Sequence, residues 1–360
     1  MDIFYFVWKR LLSGILVIIG VVVFIFLLFN VLPVNSARMT LGQRADTASV
    51  AAIEKEFRLN LPWYERLGYY FNDLSPISFH NTKNENHPTH LGLEQRNVTS
   101  LFHIEDYQMV LKSPDLGRSF QTRRKVTDIL SEKVVPTALL GLFAMILASI
   151  IGIFLGIFSA LRQYSFWDNF ILTGSVMGIS QPAFFSGFLI AILFGYYWGD
   201  ITGLNHQGSL IVLNDLGDEV YVWKNLILPV IALGIRPIGI IAQLTRSSML
   251  DAITQDYVRT ARAKGLSENK VIYKHTLRNA LNPVITSISG WLAALLTGAY
   301  FIETVFNYDG LGLQTVNSLK NFDFPVVMGA VLLVAVVFVI VNIMTDLLYS
   351  VLDPRVIVKA

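Results

Sequence analysis

The chain has 360 residues, 53% of them hydrophobic and only 15% charged, with a formal net charge of +2 and a mean hydropathy of +0.53. Soluble domains carry about a quarter charged residues, so this composition belongs to an integral membrane protein. The absence of cysteine excludes a disulfide framework, thiolate metal sites and a cysteine nucleophile.

A membrane helix needs roughly 20 apolar residues. The first such run is Leu11–Leu32, preceded by Lys9 and Arg10 as a signal peptide would be. It is longer than the roughly 7–15 apolar residues of a signal peptide, so residues 1–33 are expected to be a retained anchor helix.

Residues 34–133 then form a long excursion. Thr47 is placed to cap a helix carrying Ile53 and Phe57. Pro62 opens another, with Trp63, Leu67, Tyr70 and Phe71 on one face, suited to the membrane surface. From Ser75 to Pro114 the composition turns to Asn, His, Pro and Ser without clear periodicity, which predicts loop. His80, His87, His90 and His103 fall here. Imidazole binds late transition metals, but the spacing fits no compact ligand pair, and solvated loop histidines are expected.

Five further apolar runs follow, Pro136–Leu161, Phe170–Tyr197, Leu226–Thr245, Pro283–Phe306 and Phe324–Leu352. The expected fold is an all-α integral membrane protein of six spans, with a five-helix core over residues 134–352 and a tail at 353–360 that Asp353–Arg355 opens. Lys and Arg favour short cytoplasmic loops. With the N-terminus inside, Arg162, Arg246, Arg259, Arg262, Lys264, Lys270, Lys274, Arg278, Arg355 and Lys359 are cytoplasmic, and so is the C-terminus. The two short outer loops hold Lys224 and Lys320 beside six acidic residues. Arg123, Arg124 and Lys125 disagree, but they end a long loop, and long loops cross largely regardless of charge.

One wet stretch interrupts the core. Residues 247–282 are polar, basic and helical in pattern. Asp256 opens a helix and Arg262 and Lys264 close it, as the macrodipole favours. Gly265 is suited to the left-handed conformation that ends a helix. Ser267 is placed to cap a second helix with Glu268 in its first turn. Lys270, Lys274 and Arg278 recur every four residues as a basic stripe, and Pro283 stands where a new helical segment can begin. Two readings are open: an amphipathic pair on anionic lipid, or a docking knob for a soluble partner.

The residues of this stretch carry a resemblance. "DYVRTARAKGLSENKVIYKHTLRNALNPVIT" resembles the cytoplasmic loop of ATP-binding cassette importer permeases, in particular the dipeptide/oligopeptide (peptide/nickel) family. Ala261–Gly265 matches its alanine–glycine signature, and "LPVIALGI", "RSSMLDAITQDYV", "FIETVFNYDGLGLQTVNSL", "TDLLYSVLDPR" and "DLGRSF" extend the likeness over about four-fifths of the chain. Val34-Asn35 depart from the family's Gly-Asp, and residues 75–114 look like an insertion that most members lack.

The resemblance implies an inner-membrane permease subunit with no catalytic residues of its own. Asp256, Thr260, Ala261, Arg262, Ala263, Lys264, Gly265, Glu268 and Pro283 would form the coupling segment that docks in a separate ATPase. The implied partners are a second, related permease, two ATPase subunits that hold ATP and Mg, an external solute-binding protein and membrane lipid, with no nucleic acid. The chain has no G-x-x-x-x-G-K-[ST] phosphate loop. The implied cargo is a short peptide, or, on the same machinery, nickel or another chelated solute.

Polar groups inside a membrane are costly and mark candidate pathways. Arg236, Gln181 and Gln243 are the translocation-path candidates. Arg236 either attracts a peptide carboxylate or pairs with Glu303 or Asp346. Asn342 is expected to join helices by hydrogen bonding, and Gly290 and Gly298 to permit close helix packing. A secondary transporter would call for mid-membrane coupling acids and an inverted repeat, neither of which is seen. A membrane-embedded enzyme would call for a motif such as H-E-x-x-H or G-x-S-x-G, also not seen.

Overall fold

The computed structural model describes residues 3–31, 54–55, 57–84, 87–90 and 98–352. The helix expected around Thr47 and the tail from Asp353 lie outside them. The described chain is mostly helical, in two compact units.

The apolar runs become α1 (Ile3–Val31), α3 (Val126–Leu161), α4 (Phe166–Ser180) with α5 (Ala183–Ile190), α7 (Lys224–Ile253), α10 (Leu277–Phe306) and α12 (Phe324–Leu352). Among the described residues four of these helices are long and apolar enough to cross a membrane, and the α4–α5 pair makes a fifth if it is one span. The sixth expected span falls in α10 (Leu277–Phe306), which the count over the described residues does not include.

The expected third span is not one straight helix. A π-helical turn, Ala191–Tyr197, continues α5, and the two halves meet at a bend of 108°. Pro182 explains the break, because the residue before a proline is pushed out of the helical region. Gln181 is accordingly extended, with φ −77° and ψ 139°.

Residues 16–132 and 317–333 form one unit. Its helix α2 (Trp63–Leu74) begins where Pro62 leads the sequence to expect it. The Ser75–Pro114 loop expectation is overturned by a three-stranded antiparallel sheet of β1 (Ile77–Asn81), β2 (Thr99–Ile104) and β3 (Tyr107–Leu111), with β3 in the centre. The usual alternation is inverted in β1. Ser78 and His80 are buried, whereas Ile77 and Phe79 are half exposed. Strand β2 is exposed along its length, so in neither strand does an apolar face mark the buried side.

The histidines also differ from expectation. The buried His80 ring bonds Ser78 Oγ and the Thr89 carbonyl, each at 2.9 Å. His87 meets Thr89 Oγ1 at 2.9 Å, and His90 meets the Asn81 carbonyl at 3.1 Å. They tie strand to loop. In the same unit Asp323 accepts from Ser119 Oγ at 2.5 Å and from the Phe120 amide at 2.9 Å, pinning the start of α12.

Residues 1–15, 133–316 and 334–360 form the other unit. Its core runs along α3, α7 and α10, with Leu140, Ala144, Leu228, Leu233, Ile241 and Ile302 at its centre. Small residues set the approach of α3 to α7. A Cβ on Gly152 would lie 2.8 Å from Ile241 Cβ, and one on Gly156 would lie 2.5 Å from Thr245 Cβ and 2.6 Å from the Ala242 carbonyl. This G-x-x-x-G spacing is the one that lets membrane helices close up. Gly290 does not have that role, since nothing lies within 4 Å of its missing Cβ. The side-chain position of Gly298 lies outside the description.

Short elements fill the connection before α7: α6 (Gly199–Thr202) and a hairpin of β4 (Ile211–Leu213) with β5 (Glu219–Tyr221). The fold class is thus helical with two small sheets, not purely α.

Candidate functional site

Helix α7 ends at Ile253, and the chain turns at once into α8 (Asp256–Ala263). Val258 and Ala261 are the buried residues of α8, and with Val271 they make a small apolar cluster. Asp256, Tyr257, Arg259, Thr260, Arg262 and Ala263 stay exposed. Of the residues expected to dock, Ala261 alone belongs to the segment's own core.

The bend that follows α8 is a Schellman motif. Gly265 has φ +75°, its amide donates to the Arg262 carbonyl at 2.9 Å, and the Leu266 amide donates to the Ala261 carbonyl at 3.4 Å. Glycine takes that φ without steric cost, whereas any Cβ strains it. Across the bend Arg262 Nε donates to Glu268 Oε1 at 2.9 Å and Nη2 donates to Oε2 at 3.4 Å.

Ser267 takes the extended N-cap conformation, although its side chain makes no capping bond. A short helix α9 (Glu268–Lys270) and a π-helical turn, Val271–Thr276, then lead without interruption into α10. The π turn inserts extra backbone into the helical ladder between Lys270 and Arg278. Pro283 does not begin a new segment: it lies inside α10. Ala280 packs with Ala160, Met249 and Ala252. The elbow is therefore anchored on the ends of α3 and α7 and is continuous with α10.

A second fastening stands near that end of the bundle. Arg246 of α7 grips Asp168 of α4 through Nε and Nη2, both at 2.7 Å. Asp168 also accepts from Ser159 Oγ and from the Tyr164 amide, the latter at 2.8 Å. It is 1% exposed. A bidentate Arg–carboxylate pair fixes geometry as well as charge. The sequence signal was Ser165-x-x-Asp168, a capping pattern at the start of α4.

A third fastening is Glu303, fully buried near the end of α10. It accepts from Thr137 Oγ1 at 2.6 Å, from the Gly312 amide at 2.7 Å and from the Leu313 amide at 3.0 Å. The last two amides open α11 (Leu311–Lys320), so one carboxylate caps a helix and joins it to α3. Gly310 allows this closeness, because a Cβ there would lie 2.5 Å from Thr137 Oγ1.

The expected ion pair of Arg236 is not made. Glu303 is engaged as above, and Asp346 meets Arg10 Nε at 2.9 Å. Arg236 is exposed, with its guanidinium 5.8 Å from the centre of the Trp291 ring on α10. Among the described residues no carboxylate pairs with it. Gln243 is half-buried two turns along α7 from Arg236, on the same face. Gln181 is at the α4–α5 break, lining a hollow of about 460 Å³ with Met177, Ser180, Pro182, Phe184 and Phe185.

Two family descriptions match the chain. "Binding-protein-dependent transport system inner membrane component" covers residues 152–358. Its N-terminal companion, "Binding-prot-dependent transport system membrane comp, N-term", covers residues 3–92. The chain is 33% identical to the "Dipeptide transport system permease protein DppB" of Alkalihalophilus pseudofirmus, over 97% of the chain and 98% of that protein. It is 36% identical to the protein of the same name from Escherichia coli K12, over 67% of the chain and 76% of that protein. It is 30% identical to the "Glutathione transport system permease protein GsiC" of Escherichia coli O6:H1, over 98% of both. The α8 elbow, the Asp168–Arg246 clamp and the Gly310–Leu313 turn all lie within the matched residues 152–358, and the chain belongs to the family of inner-membrane components of binding-protein-dependent transport systems.

Proposed function

We propose that the chain is the permease subunit of an ATP-binding cassette importer and forms half of a path for short peptides. Six spans place α8 and both termini in the cytoplasm, and a second, related permease completes the path. Two ATPase subunits grip the exposed face of α8 around Thr260–Gly265, and an external binding protein delivers the cargo. ATP and Mg belong to the ATPases.

The observation that carries this reading is the elbow. It is a rigid polar knob, closed by a glycine motif and by the Arg262–Glu268 pair, and continuous with α10. A chain without a phosphate loop needs such a handle if nucleotide-driven motion is to reach its helices. Peptide as cargo rests on full-length likeness to permeases named for dipeptides and glutathione. Arg236 fits that cargo: a cation that, among the described residues, meets the Trp291 ring and no carboxylate is available to a peptide carboxylate.

The test is uptake into proteoliposomes holding the chain with its co-purified partners. ATP-dependent accumulation of a labelled dipeptide, unaffected by excess nickel, is expected. Accumulation of nickel with no peptide uptake would replace the cargo assignment. Accumulation against a gradient by this chain alone would end the permease-subunit reading.

A further inference from the structure

The 16–132 and 317–333 unit carries a half-open cavity of about 770 Å³, within the range of roughly 300–1,000 Å³ typical of ligand pockets. Its wall is divided. On one side are Phe26 and Phe29 of α1 with Phe324 and Met328 of α12. The Phe29 and Phe324 rings are 4.7 Å apart; Phe29 lies in the last turn of α1 (Ile3–Val31) and Phe324 opens α12. The cavity therefore stands where two membrane-crossing helices leave the hydrocarbon. Helix α2 beside it carries exposed Trp63 and Tyr64, the residue types that gather at the headgroup level.

The other side is cationic. Arg58, Arg66, Lys112, Arg118 and Lys125 line it. The two lining carboxylates are already engaged: Asp73 by Arg58 Nη1 at 2.6 Å, and Asp115 by the Gly117 amide at 2.9 Å. Lys112 is different from the other cations. It is 9% exposed, and its Nζ is buried without a hydrogen-bond partner among the described residues. Burial pushes its ammonium below the ordinary lysine value, and Asp73 and Asp115 offset part of this. An orphaned buried ammonium is strongly unfavourable unless something anionic meets it.

We infer that this cavity holds the headgroup of an anionic phospholipid, its phosphate on Lys112 and its upper acyl chain along Phe26, Phe29, Phe324 and Met328. A free phosphate ion satisfies Lys112 but leaves the aromatic wall uncovered. A zwitterionic lipid adds a cation to a wall that already has an excess of them. Anionic lipid satisfies both sides, and the position at the ends of two spans gives it access from the bilayer.

The experiment uses the full chain in nanodiscs of phosphatidylcholine, with or without phosphatidylglycerol, and a third arm of phosphatidylcholine discs with millimolar inorganic phosphate. Wild type is expected to unfold at a higher temperature with phosphatidylglycerol and to retain one such lipid per chain in native mass spectrometry. Lys112→Met is expected to lose both effects, and in phosphatidylcholine alone to unfold at or above the wild-type temperature, because it removes a buried charge unpaired among the described residues. Lys83→Met, at an exposed surface lysine outside the cavity, keeps the gain. An equal gain in Lys112→Met overturns the assignment, as does an equal shift from inorganic phosphate alone. A wild-type chain that retains no phosphatidylglycerol overturns it irrespective of how the variants fold.

Discussion

Arg262 and Glu268 face each other across Gly265, with the guanidinium Nε 2.9 Å from the carboxylate oxygen. Both side chains are solvent-exposed, so the pair contributes roughly 1 kcal/mol or less to stability. Its value lies in holding the angle between α8 and the turn that becomes α10.

Charge reversal separates angle from stability. Arg262→Glu is expected to insert and fold normally yet lose most ATP-driven uptake, because two like charges push the bend open. Adding Glu268→Arg restores the attraction with its sign exchanged, and uptake should recover in part. Uptake assays on the single and double variants check this. An unimpaired single variant would remove the pair from the coupling path.

Glu303 is expected to be a stability residue. Glu303→Ala leaves the Gly312 and Leu313 amides without an acceptor in a buried place and Thr137 Oγ1 with the longer bond to the Lys133 carbonyl, at 3.3 Å. Hydrogen bonds to a charged group contribute about 1.5–3 kcal/mol each, so the thermal midpoint in detergent should fall clearly. Glu303→Gln should fall less, since an amide oxygen still accepts. Equal midpoints for wild type and Glu303→Ala would show that the turn is held elsewhere.

The α3–α7 seam tolerates no added atom. Gly156→Ala puts a methyl 2.6 Å from the Ala242 carbonyl, and overpacking of this kind costs about 1–3 kcal/mol. Gly290→Ala, with open space around it, is the matched control and should be neutral. Thermal unfolding of the two variants side by side decides it, and equal behaviour would contradict the close approach.

The sheet unit should loosen in acid. Burial holds the His80 ring below the ordinary histidine value of about 6.5. The folded state therefore binds the proton less readily than the unfolded state. The stability from neutral His80 is fully present above about pH 6.5 and declines as pH falls below it. Hydrogen-exchange protection factors at the β1 and β3 amides, taken relative to the intrinsic base-catalysed rate at each pH, should fall over that window, and His80→Gln should flatten the response. A pH-independent protection factor in wild type would be the contrary result.

Local signals made the elbow legible: an acid at the start of α8, a glycine at its end and an acid in the next turn. The α2 helix was readable from Pro62 and the aromatic face behind it. The sheet was not, because its buried positions in β1 are Ser78 and His80 while Ile77 and Phe79 point outward. The partner of Glu303 was not either, since Thr137 lies 166 positions away and no periodicity links them. Of the two roles open to Arg236 in the sequence, pairing with Glu303 or Asp346 is not made, and the group that meets it is the ring of Trp291. The Gly152-x-x-x-Gly156 spacing was present in the sequence, whereas Gly290, chosen for its place in a span, faces open space.

The central claim, that the elbow carries nucleotide-driven motion into the helices, is tested most directly by Gly265→Pro. Proline cannot take the φ of +75° found there, and it lacks the amide that donates to the Arg262 carbonyl. In proteoliposomes with the partner subunits, ATP hydrolysis is expected to continue while peptide uptake falls to background. Normal ATP-driven uptake by Gly265→Pro would contradict it.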